Sequence, residues 1–195
     1  MPTLSNLRAT CFARTLTWGA IAGALGLLAF LPTSAFAAPP PPPPNAPQDI
    51  EVTDGSVPFL LWHAIGTQNY VCQLVGGAYT WTFVGPSATL YDEKGKQVAT
   101  HFAGPTWQAQ DGSRVIGAVE ASVMVAPDAI PWLRLRAAST VTGPKGGDRL
   151  APTTFIQRVN TTGGLKPTSG CIAGTVGAAA NISYTADYYF YRHRD

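Results

Sequence analysis

Between residues 76 and 112 a chain-reversing pair recurs at short intervals: Gly76-Gly77, Gly85-Pro86, Lys94-Gly95, Gly104-Pro105 and Asp111-Gly112. Glycine supplies positive φ at no steric cost, proline presets φ, and Asp-Gly suits the tight turn of a hairpin. A helix of ordinary length, about 11 residues, does not fit between such reversals, whereas a strand does. The intervening segments alternate in polarity rather than repeating every three to four residues. In "SRVIGAVEASVMV" (113–125), Val115, Val119, Ala121, Val123 and Val125 share one face, with Arg114, Glu120 and Ser122 on the other. "IPWLRLRA" (130–137) sets Leu133, Leu135 and Ala137 against Trp132, Arg134 and Arg136. Further strands are expected at 58–63, 67–75, 78–84, 87–92, 97–102, 106–110, 152–160 and 184–192, with glycine-rich loops at 143–151 and 162–180. The fold class this predicts is all-β: a single-domain antiparallel sandwich or barrel with long glycine-rich loops.

The first 48 residues read differently. Arg8 and Arg14 precede the uncharged run "TLTWGAIAGALGLLAFL" (15–31), and "AFA" at 35–37 offers small residues where a signal peptidase reads. Residues 1–37 are expected to be a cleaved secretory leader, leaving no membrane span and a secreted or periplasmic product. "APPPPPPNAPQ" (38–48) cannot pack a core and reads as a proline-rich spacer of polyproline II type. Residues 49–195 then form one β-rich domain. The leader carries both charges that separate 13 basic from 11 acidic residues, so the mature chain is formally neutral and gives no reason to expect nucleic acid as a partner.

Cys72 and Cys171 remain after cleavage. In an exported chain an even pair predicts a disulfide, the alternative being two separately buried thiols. No histidine pair stands at ligand spacing beside them, so neither a metal nor a cofactor is expected.

"HFAGPTWQAQDGS" (101–113) concentrates the residues that bear chemistry. As two consecutive hairpins it sets His101 opposite about Thr106 or Trp107, while Asp111 falls about 13 Å further along, at ~3.3 Å per residue. A His101–Asp111 hydrogen bond would need about 2.6–3.2 Å, so the meander argues against that dyad. Asp111 is read as a turn former, and Ser113 has neither a visible base nor a nucleophile elbow. His101 is read as a core histidine bonded to a carbonyl, with ligand contact as the alternative. Trp107 belongs to the core or lines a pocket mouth. Tyr79, Trp81 and Phe83 share a face that is either core or a stacking platform for sugars. Trp132, Arg134 and Arg136 form either a solvated face or an anion-binding patch. Gln68, Asn69 and Tyr70 offer polar contacts near the expected bridge.

Several of these segments, "GTQNYVCQ" (66–73), "ATLYDEKGKQVATHFAGPTWQAQDGSRVIG" (88–117), "FIQRVNTTGG" (155–164) and "YTADYYFY" (184–191), resemble a family of exported bacterial and fungal proteins catalogued as a domain of unknown function. The resemblance covers nearly all of 55–192. It implies a secreted β-rich domain and no assigned activity, so no catalytic residue carries over. Nothing in the chain supports a dinucleotide-dependent dehydrogenase: it has no G-x-G-x-x-G and no alternation of strand with helix.

The functional expectation is a non-catalytic exported domain that binds a small molecule or glycan, with His101, Trp107, Tyr79, Trp81, Trp132 and Arg134 as candidate contacts. Two alternatives stand beside it. One is a hydrolase using His101 with Asp111 or Asp187; the other is a purely structural surface protein.

Overall fold

Eight antiparallel strands, each hydrogen-bonded to the next in sequence, close into a barrel when the last pairs with the first. They are β1 (Val57–Val75), β2 (Ala78–Tyr91), β3 (Gln97–Phe102), β4 (Thr106–Ala109), β5 (Arg114–Val123), β6 (Trp132–Val141), β7 (Phe155–Gly163) and β8 (Ala179–Arg192). The computed structural model describes residue 42 and residues 45–194. The expected leader and most of the proline spacer lie outside the described residues. Among those residues no helix is long and apolar enough to cross a membrane.

The all-β expectation therefore resolves into a barrel, with two strands longer than the sequence suggests. Residues 58–63 and 67–75 are one strand, as are 78–84 and 87–92. Gly66 sits inside β1 because the wall there admits no side chain: a Cβ would lie 2.2 Å from the Ser87 carbonyl oxygen and 2.5 Å from the Ala88 Cα. Gly85-Pro86 marks a bulge opposite Asn69 and Tyr70 rather than a turn.

Alternation then sorts the side chains. Trp62, Ala64, Leu90, Ala99, Trp107, Ala109, Val115, Leu135, Ile156, Tyr188 and Phe190 meet in the interior. Leu150, from the loop after β6, is fully buried among them and closes one end, with the Arg149 guanidinium 5.5 Å from the Trp62 ring centre. A smaller cluster of Leu61, Val159, Tyr189 and Tyr191 lies on the outer face, with Val52, Trp132 and Phe155 against it. The segment before β1 is pinned over that side: the Ile50 carbonyl accepts from Gln157 Nε2 at 2.9 Å and the Glu51 carbonyl from Arg134 Nη1 at 2.6 Å.

Beyond the other end, β1 and β2 continue as a hairpin arm. Cys72 and Cys171 are joined by a disulfide, Cα atoms 5.3 Å apart, which ties the 164–178 loop to this arm. Cys72 N donates to Ala178 O at 2.9 Å, Trp81 Nε1 to Ser169 O at 2.8 Å and Tyr70 Oη to Gly164 O at 2.7 Å, securing the same junction.

Candidate functional site

The end of the barrel opposite Leu150 is not filled. A cavity of about 210 Å³ runs in between Phe83, Val84, Pro86, Pro105, Val119 and Leu133 to His101, Trp107, Gln68, Arg158 and Tyr188. Its rim is apolar and wet: Phe83, Val84 and Val119 are each more than half exposed.

Register explains why these groups converge. His101 pairs with Trp107 across β3 and β4, and His101 with Ala88 across β2 and β3. Gln68 sits opposite Pro86, at the bulge that breaks the β1–β2 ladder. Arg158 pairs with Tyr188 on one side and Leu133 on the other, so its side chain shares their interior face.

His101 is buried and stacks on Trp107, ring centres 4.2 Å apart. Its Nδ1–H donates to the Thr106 carbonyl at 2.9 Å, which leaves Nε2 as an acceptor when the ring is neutral. Burial pushes the imidazole down to about 3; the Thr106 bond opposes this and the Arg158 charge adds to it. Burial likewise pushes the Tyr184 and Tyr188 phenols up. The interior groups around Arg158 are therefore neutral at physiological pH.

Two of the cavity's donors are orphaned. Gln68 is 3% exposed and Trp107 1%, yet Gln68 Nε2 and Trp107 Nε1 have no hydrogen-bond partner among the described residues. Arg158 directs Nε and Nη2 to one acceptor, the Pro131 carbonyl, at 3.1 and 2.7 Å. No carboxylate lies within 4.0 Å of it among the described residues.

The other sequence candidates lie elsewhere. Tyr79 and Trp81 line a separate groove on the arm with Lys166, Pro167 and Ser169, and the Trp81 N–H is held by Ser169. Trp132 packs on the outer cluster. Arg134 and Arg136 flank Glu120 at 3.5 and 3.3 Å on the outer wall. The His101–carboxylate pair of the hydrolase alternative is not formed. Asp111 accepts from Ser113 N and Oγ at 2.9 and 2.6 Å, and Asp187 accepts from His63 Nδ1 at 2.6 Å and Asn160 Nδ2 at 2.8 Å. Sequence reasoning gave no role to His63 or Arg158. Both stand on strands covered on two sides, where alternation does not tell inside from outside.

Among the cavity's described lining residues there is no serine, threonine, cysteine or carboxylate. Nor do three His, Cys, Asp or Glu side chains gather anywhere among the described residues where they could hold a metal ion.

Residues 53–192 match the family described as "Protein of unknown function (DUF3455)". No curated protein and no solved structure matches the chain. The match spans most of the sequence, including all eight strands and the cavity they enclose, and the chain belongs to this family.

Proposed function

We propose that this DUF3455 protein is an exported, non-catalytic binding protein that takes a small organic molecule into the open end of its barrel. One observation carries the reading: Gln68 Nε2 and Trp107 Nε1 are buried and unpartnered in a cavity whose walls are mostly apolar. An orphaned buried donor costs about 1–3 kcal/mol, and a bound acceptor removes that cost. Apolar walls with a few convergent polar groups are the usual make-up of a small-molecule site. At about 210 Å³ the cavity lies below the ~300–1,000 Å³ of drug-sized pockets, which favours a compact ligand over a glycan chain. Export is supported by the leader pattern and by a disulfide suited to an oxidising compartment.

A thermal-shift screen of the mature chain against compact aromatic and aliphatic fragments, with oligosaccharides as a second arm, tests the binding. Stabilisation by fragments that is lost in Trp107→Phe is expected. Stabilisation by oligosaccharides alone, or responses indifferent to both Trp107→Phe and His101→Ala, would remove the cavity from consideration. Intact mass of the protein recovered from its natural compartment, starting at Ala38, tests export.

A further inference from the structure

We propose that the molecule held in the barrel is a small carboxylic acid bound as its carboxylate, with Arg158 as counter-charge and Gln68 Nε2 and Trp107 Nε1 as hydrogen-bond donors. This rests on the binding reading above and narrows it to a ligand class.

Arg158 lies half-buried on the interior face of β7, and both of its paired nitrogens point at a single neutral acceptor, Pro131 O. A guanidinium drawn away from water calls for an anion, and this one has none among the described residues. The nearest candidates in sequence register face the other way. Asp187, next to Tyr188, is held outside by His63 and Asn160, and Glu120 lies between Arg134 and Arg136 on the outer wall. His101 cannot take that place, because its free nitrogen is a neutral acceptor. The interior thus carries one uncompensated positive charge. Two strands, β1 and β4, also bring it donors without protein partners, the Gln68 amide and the Trp107 indole, beside the Arg158 guanidinium of β7.

The complement of such a site is a monoanion rich in acceptors. A carboxylate meets that description and matches the planar fork of the guanidinium. A phosphate dianion would be left half-neutralised against apolar walls. Phe83, Val84 and Val119 at the rim require that the rest of the ligand be hydrocarbon or aromatic. At about 210 Å³ the cavity suits a compact acid such as benzoate rather than a long acyl chain.

Calorimetric titration of the mature chain at neutral pH with benzoate, phenylacetate and hexanoate, each against its primary amide and with phenyl phosphate alongside, decides the matter. At least one acid should bind about tenfold or more tighter than its amide. Arg158→Gln should bring the pair within about threefold. Gln68→Leu breaks no hydrogen bond among the described residues, so it should fold as the parent does and weaken the acid about fivefold; it decides the question if Arg158→Gln does not fold. Acids and amides binding equally, or phenyl phosphate binding tightest, would overturn the carboxylate and leave the small-molecule reading standing. No binding by any probe, charged or neutral, would overturn that reading as well.

Discussion

His101 and Trp107 face each other across β3 and β4 with ring planes 9° from parallel, and the edge of Tyr188 closes on both, ring centres 5.2 and 5.3 Å away. The stack fixes the imidazole so that Nδ1–H meets the Thr106 carbonyl and keeps water from the ring. The histidine is thereby a neutral, oriented acceptor rather than a titrating base.

The first prediction is a pH dependence of stability. The folded imidazole sits at about 3, below the 6.5 it has when unfolded. Between those values the unfolded chain holds a proton that the native chain refuses, so stability is highest above pH 6.5 and falls with acidification through the window. The slope from one such group is half its limit of about 1.4 kcal/mol per pH unit at pH 6.5 and approaches that limit below it, so about 1.6 kcal/mol should go between pH 6.5 and 5. Urea midpoints at the two pH values measure it. His101→Phe should be less stable at pH 7, having lost the Thr106 bond, but should show a shallower fall. Equal slopes in parent and variant would refute the assignment.

The second prediction contrasts two glycines. At Gly66 a methyl group would overlap backbone atoms of β2, which cannot move without opening the barrel wall. Gly66→Ala should cost more than about 3 kcal/mol by denaturant titration. At Gly76, in the turn of the arm, a Cβ would meet nothing within 4 Å, and the penalty comes from φ of 59° alone, about 1–2 kcal/mol.

The same contrast shows where the sequence can be read and where it cannot. Gly76-Gly77, Lys94-Gly95, Gly104-Pro105 and Asp111-Gly112 lie in turns, and counting back from Gly104-Pro105 narrows the partner of His101 to Thr106 or Trp107, of which the pairing selects Trp107. Gly66 and Gly85 look the same in sequence but exist because a neighbouring segment passes too close, the β2 backbone at Gly66 and Ala103 at Gly85, and that depends on partners distant along the chain. The cavity divides similarly. His101 and Trp107 stand out because they belong to one hairpin. Gln68 and Arg158 join them only through the β1–β2 bulge and the β6–β7–β8 pairing. The face Arg158 takes is not legible, because Ile156 packs inside the barrel while Val159 packs outside it, so both faces of β7 carry apolar residues.

The third prediction concerns the disulfide. Cys72 and Cys171 are 99 residues apart, and a loop of that length corresponds to about 4–5 kcal/mol in the chain-entropy account. Replacing both with alanine should lower stability by an amount of that order. The local signature is specific. Freed from the arm, the 164–178 loop should release the Trp81 N–H from Ser169, and the emission of Trp81 should shift to the red in a background lacking the other tryptophans' contribution. A stability change with Trp81 emission unmoved would mean that the loop is held by its hydrogen bonds alone.

The last prediction separates a turn from a catalytic acid. Asp111 has the look of an active-site carboxylate beside a serine, but every bond it makes organises the closed end of the barrel. Oδ1 accepts from Ser113 N and Oγ, Oδ2 accepts from Arg149 N at 2.9 Å, and Ser113 Oγ in turn accepts from Leu150 N at 3.1 Å. Gly143 and Gly147 are required alongside, since a Cβ at either would fall within 2.2 Å of the Asp111 carbonyl oxygen. Partial burial works to raise the carboxyl, and the bonds from Ser113 and Arg149 outweigh it, so the group sits below its usual value. The clamp therefore holds above the ordinary carboxylate range and weakens as pH falls through the depressed value. Asp111→Ala should cost about 2 kcal/mol and speed amide exchange at Arg149 and Leu150. Asp111→Asn keeps the acceptor for Ser113 but turns an N–H toward the Arg149 amide, and should cost about half as much. In neither variant should affinity for a cavity ligand change, because the cavity opens at the opposite end of the barrel from Leu150. A loss of ligand affinity matching the loss of stability would mean that the two ends are coupled and that the plug at Leu150 also shapes the site.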